Sequence, residues 1–200
     1  MADTFFKILG GTDPVAQSLG KMTQGLGYPL RDVEPSTSGG AVTVKDEICL
    51  SSESFLDQDP PDIGVAAQIT FGAADATAQF SIDAAGNMEC LEEDEYECAV
   101  TFVVGREGSG GIAQIYLRAL INGSQVGSSR HAILDTDDFE IPLEYNVQFN
   151  LQVGDILTFE MIRDTDGSNS GGLRAGIPDV PWNPSPSAFI QISRTLAVQS

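Results

Sequence analysis

From Phe139 to Val153 apolar and polar residues alternate for fifteen positions without a break. The odd positions are Phe139, Ile141, Leu143, Tyr145, Val147, Phe149, Leu151 and Val153. Glu140, Pro142, Glu144, Asn146, Gln148, Asn150 and Gln152 fill the even ones. Successive side chains of a strand point to opposite faces, so the pattern predicts a sheet with one dry face and one wet face. Gly154-Asp155 punctuates, and Leu157, Phe159 and Met161 resume the beat. At about 3.3 Å per residue the whole run would reach about 50 Å, long for a small sandwich. Two strands or a strongly bent one are therefore expected. The break should fall near Pro142, which cannot donate to a ladder.

The same beat recurs from Ile63 onward. Strands are predicted over 65–71, 78–83, 88–91, 95–105, 112–121 and 125–134. Tyr96, Cys98, Val100, Phe102 and Val104 share one face of their strand. Asn122-Gly123 has the dihedral freedom of a type I′ turn and predicts a tight hairpin. Residues 155–163 should pair back across Gly154. A polar loop over 164–172 and a Pro-rich crossing over 178–186 lead to a last strand, 187–194. Eight to ten strands and no long helix in about 140 residues indicate an all-β chain. An antiparallel jelly-roll β-sandwich fits best, because several connections are too long for a simple meander.

Residues 1–60 read differently, as an extended, mostly irregular N-terminal arm with a linker; residues 61–200 form the jelly-roll domain. Apolar residues in the arm are sparse and aperiodic. Asp13 as N-cap, Pro14 at the first position and Gly20 as the stop predict one short helix. Pro35 to Gly40 reads as a linker and Ala41 to Leu50 as one strand. A segment with so little core of its own is expected to order against something else.

Charge narrows the partners. The formal net charge is −19, from 29 acidic and 10 basic residues. Such a surface repels nucleic acid and anionic membranes, so neither is expected as a partner. Cys49, Cys90 and Cys98 show no metal spacing and are expected reduced and partly buried, although Cys90 and Cys98 could face each other across a hairpin. The opening residues predict no signal peptide, and the chain reads as one folded in a reducing cytoplasm. The single histidine, His131, has no nucleophile elbow to serve. Glu92 to Glu95 and Asp135 to Asp138 read as solvated loop charges that discourage edge pairing. Asp164, Asp166 and Asn169, around Gly167, resemble part of a calcium loop without its helix or its closing glutamate. No cofactor is expected, and the chain reads as a non-enzyme.

Several short motifs carry a family resemblance. They are Tyr96 with its alternating strand, Tyr116-Leu117-Arg118 leading to Ile121-Asn122-Gly123, Leu151 to Leu157, and Ser187 to Ile192. Together they resemble the jelly rolls of the tumour-necrosis-factor and complement globular-head family over about half the chain. The resemblance implies a homotrimer packed through one sheet, with Tyr96, Gly154, Asp155 and Phe189 as scaffold positions. Val103, Tyr116 and Leu120, on strand faces opposite the expected core, are the interface candidates. The overall style also resembles tailed-bacteriophage virion proteins: a small acidic jelly roll with a glycine-rich arm. That resemblance implies a capsid decoration or cement protein, assembled in the host cytoplasm and resident in the virion. Its partners would be the major capsid protein or neighbouring virion subunits. Phe5, Phe6, Ile8, Leu9, Val15 and Leu19 would anchor the arm. The alternative is a fibre or adhesin tip recognising host glycan, with Trp182 as the contact.

Overall fold

The computed structural model describes residues 42–74, 77–107, 111–135, 140–165, 170–179 and 182–199. One compact unit spans Val42–Val198. Its strands are β1 (Val42–Ser54), β2 (Ala67–Gln68), β3 (Phe80–Ile82), β4 (Met88–Cys90), β5 (Asp94–Glu107) and β6 (Ala113–Ile121). They continue as β7 (Ser124–Leu134), β8 (Glu140–Leu151), β9 (Ile156–Arg163), β10 (Ser170–Leu173) and β11 (Ala188–Gln199).

Two antiparallel sheets face each other. In the first, β5 is central. β11 and β10 follow one another along one side of it, β8 lies on the other side, and β1 flanks β11. The second runs β3-β4-β9-β6-β7, with β2 added to β9. The chain crosses between the sheets repeatedly, at β1–β2, β4–β5, β5–β6, β7–β8, β8–β9 and β9–β10, as a jelly roll requires. The expected all-β jelly-roll class holds among the described residues.

The core is the inward parity of these strands. Tyr96, Cys98, Val100, Phe102 and Val104 of β5 meet Ile115, Leu117 and Ala119 of β6 and Leu157, Phe159 and Met161 of β9. Phe159 is the hub, with ring centroids 6.2 Å from Phe71, 5.8 Å from Phe102 and 6.0 Å from Tyr145. Tyr145 links the two sheets at one edge: its hydroxyl donates to the Val126 carbonyl of β7 at 3.2 Å.

Three expectations change. First, the sandwich begins at Val42, so residues 42–60 belong to it and not to the arm. Cys49 and Leu50 are buried there, and Gln58 exchanges backbone hydrogen bonds with Leu173. Second, β8 does not break at Pro142. It pairs with β5 in one register from Gly105↔Glu140 to Asp94↔Leu151. Opposite Pro142, Val103 sends its N–H to Ser187 and receives the Arg174 N–H on its carbonyl. Pro142 therefore sits at a non-hydrogen-bonded site of an edge strand, where its missing donor costs nothing. Third, β9 does not pair back on β8. Gly154, at φ 89°, turns the chain into the other sheet, and the Cys90 carbonyl takes its N–H at 2.8 Å.

Candidate functional site

One end of the sandwich is closed by polar groups that the sequence presents as loop charges. Arg194 of β11 has the inward parity of Ile190 and Ile192. Its guanidinium reaches Glu47 at 2.7 Å, Glu92 at 2.7 Å and Asp94 at 3.2 Å. The reading of Glu92 and Asp94 as merely solvated is thus corrected, because the β4–β5 turn brings them over the end of β11. The Arg194 hydrogen bond holds the Glu92 carboxyl below its ordinary range, and the Glu92 contact raises Arg194 in turn. Tyr96 is buried beside them, donating to the Glu92 carbonyl at 2.6 Å and meeting Phe80 edge-on at 4.8 Å.

The three cysteines are free and buried. Cys90 lies in the second sheet and Cys98 in the first, so they do not face each other across a hairpin. Burial pushes the Cys49 thiol up to about 11 and raises Cys90 and Cys98 as well. Thiols held protonated in this way are poor nucleophiles and poor metal ligands.

Two of the motifs behind the family resemblance touch. The Asp155 carboxylate accepts from the Asn122 side-chain amide at 2.7 Å and from the Gln152 N–H at 2.9 Å. Asn122 Oδ1 accepts the Ile156 N–H at 3.0 Å. The Gln152 and Asn122 bonds lower the Asp155 pKa. Asn122 and Gly123 adopt φ 50° and 76°, as the sequence predicts for this hairpin. These residues fix the turn and the sheet crossing, which is a scaffold role.

The interface candidates do not share a surface. Val103 is half-buried on the outer face of the first sheet. Tyr116 and Leu120 belong to the second sheet, so no single flat contact holds all three. Leu120 is only 4% exposed, which removes it from the accessible surface. The outward positions around Val103 are Ala99 and Thr101 on β5, Phe189 and Gln191 on β11, and Asn146 on β8. None of these is charged, but the exposed Glu144 on β8 lies directly opposite Thr101 among them, and Glu97 follows Ala99 on β5.

Trp182 is 77% exposed and Ile177 85% exposed on the Pro-rich crossing. Asp164 is half-buried after β9, with its N–H bonded to the Gln114 carbonyl at 2.9 Å. Asp166 and Asn169 lie outside the described residues, as do Phe5, Phe6, Ile8, Leu9, Val15, Leu19 and the predicted helix from Asp13. Among the described residues no group of three or more His, Cys, Asp or Glu is placed to hold a metal ion. No helix among them is long and apolar enough to cross a membrane. His131 is exposed and stacks on Tyr116, with centroids 5.2 Å apart.

No protein-family model matches the chain, and no curated protein matches it. Solved structures do. Murine APRIL at pH 5.0 is 11% identical over 77% of this chain and 99% of that one, with a TM-score of 0.45. Murine APRIL at pH 8.5 is 12% identical over 75% and 99%, with a TM-score of 0.43. The globular domain of zebrafish complement 1qA protein is 11% identical over 75% and 96%, also at 0.43. These are likenesses of fold.

Proposed function

We propose that this chain is a structural virion protein, a homotrimeric jelly-roll knob that decorates or cements a phage capsid. The observation that carries the reading is the charge-poor patch around Val103 on the outer face of the first sheet. In a chain of net charge −19, Ala99, Thr101, Val103, Phe189, Gln191 and Asn146 form a surface on which Glu144, opposite Thr101, is the one carboxylate in the middle, so copies can meet there with little like-charge repulsion. Thr101, Val103, Phe189 and Gln191 are half-buried there, a low surface on which strands of two copies can approach closely. The apolar residues of the first twenty positions, Phe5 to Leu19, then supply the anchor to the capsid shell. Many copies on a symmetric lattice add through multivalency.

Two measurements test the reading. Light scattering should give three times the chain mass, and the assembly should strengthen with added salt as the like charges are screened. Deleting residues 1–40 should leave the trimer intact and abolish capsid decoration. A monomer at micromolar concentration, or wild-type occupancy by the truncated chain, would overturn the corresponding half.

The exposure of Trp182 favours one second reading, a fibre tip recognising host glycan. An indole presented on a Pro-rich crossing offers a flat apolar face to a sugar ring. Binding on a glycan array that disappears in Trp182→Ala would support it.

A further inference from the structure

The outer face of the second sheet holds a groove of about 310 Å³ lined by Tyr116, Arg118, Gln125, Ser129, Glu160 and Ile162. A bulge builds it. Leu117 lies opposite Arg130 and Ala119 opposite Val126, so Gly127, Ser128 and Ser129 together face the single residue Arg118. Gly127 takes φ 66° to make this turn. Such bulges re-aim side chains. Here Gln125 bends over to donate to Ser129 Oγ at 3.1 Å and forms one wall with it.

The lining is fixed. Arg118 Nε and Nη2 both donate to Glu160 Oε2, at 2.9 and 2.6 Å, and the side chains are 41% and 25% exposed. Among the described residues Glu160 Oε1 takes no hydrogen bond. Tyr116 is held by its stack on His131 and by the Gln114 amide, which donates to its hydroxyl at 2.9 Å.

We propose that this groove binds a neutral saccharide of one or two rings; the inference rests on the glycan reading rather than on the capsid one. Its size is at the small end of ligand pockets, about 300–1,000 Å³. An anionic ligand would meet Glu160 and Asp164 on the walls and a strongly acidic surface around them. A purely apolar ligand would strip water from the ion pair without replacing its hydrogen bonds. Vicinal hydroxyls satisfy both partners at once, donating to Glu160 Oε1 while accepting from Arg118 and Gln125. The C–H face of the ring would lie on Ile162 and Tyr116.

The test is saturation-transfer NMR on the full chain with methyl glycosides of the common neutral hexoses and their disaccharides. At least one should bind, and Glu160→Gln should weaken it about tenfold or more, as expected for a hydrogen bond to a charged group. Gln125→Ala, at an exposed position, should weaken it with the fold unchanged by circular dichroism. Glu89→Gln, on exposed β4 surface, should leave it intact. If none of the neutral sugars bind, the groove assignment falls; the glycan reading falls with it only if the glycan array is blank as well. Binding that survives Glu160→Gln and Gln125→Ala but is lost in Trp182→Ala overturns the groove and keeps the glycan reading. Binding of sialosides in preference to neutral sugars overturns the assignment of charge.

Discussion

On the first sheet Ala99, Thr101, Val103, Phe189 and Gln191 face outward, with Glu144 opposite Thr101 as the one carboxylate in their midst. On the second, the outward positions of β6 and β9 hold Tyr116, Arg118, Glu160 and Ile162, joined by an ion pair and walled by a bulge. Both faces come from the same alternation and sit on the same core. Parity decides which side chains leave the core. Register decides what they meet outside it. Arg118 and Glu160 are 42 residues apart in sequence and directly opposite in the sheet. The first face suits a flat contact between copies, and the second suits a small polar ligand.

The largest effect should come from breaking what the two faces share. Phe159→Ala removes the ring that touches Phe71, Phe102 and Tyr145, and should cost about 3–5 kcal/mol in denaturant unfolding. Both faces should be lost in one transition. Two separate transitions would show that the sheets are stabilised independently. Next, Thr101→Glu places a second carboxylate beside Glu144 in the middle of the charge-poor patch. It should convert the proposed trimer to a monomer by light scattering while leaving the second sheet's groove unchanged. Tyr116→Arg, on the other face, should leave the mass at the trimer value. If the two variants behave the other way round, the assignment of the faces is reversed.

What the sequence could say follows the same division. The Asn122-Gly123 hairpin is legible because its geometry is local, and the inward set of β5 is legible because parity is local. The continuity of β8 through Pro142 is not, since it depends on where Val103 sends its hydrogen bonds. The crossing at Gly154 is not either, since one pair of turn residues serves a hairpin or a change of sheet. The groove is hidden for a related reason. Gly127-Ser128-Ser129 breaks the alternation of β7, but only the register against β6 turns that break into a bulge. The carboxylates around Arg194 come from β1 and from the β4–β5 turn, about 100 or more residues before it, and no spacing along the chain announces them.

That cluster lies where the two sheets meet, and it sharpens the comparison through pH. Arg194 lowers the Glu92 pKa, so the folded state holds this proton more weakly than the unfolded chain does. The resulting stability is fully present at neutral pH. It erodes as pH falls below the ordinary glutamate value of 4.5 and is gone below Glu92's own lowered value. Arg194→Met should lower the unfolding midpoint at pH 7 and flatten the acid limb of the stability curve. An unchanged acid limb would assign acid lability to carboxylates elsewhere, such as Asp155 at the sheet crossing.

The smallest effect concerns the crossing itself. Gly154 sits at φ 89°, and an added Cβ would meet nothing within 4 Å. Gly154→Ala therefore isolates backbone strain from packing. The left-handed conformation should cost about 1–2 kcal/mol, read as a lower denaturant midpoint with an unchanged slope. Since Gly154 donates to the Cys90 carbonyl, that strain is delivered to the turn joining β8 to β9 and so falls on both sheets alike. The trimer mass and the groove's affinity should then fall together, if at all. A variant that lost one and kept the other would mean that the two faces are positioned by separate parts of the fold, and not by a common frame.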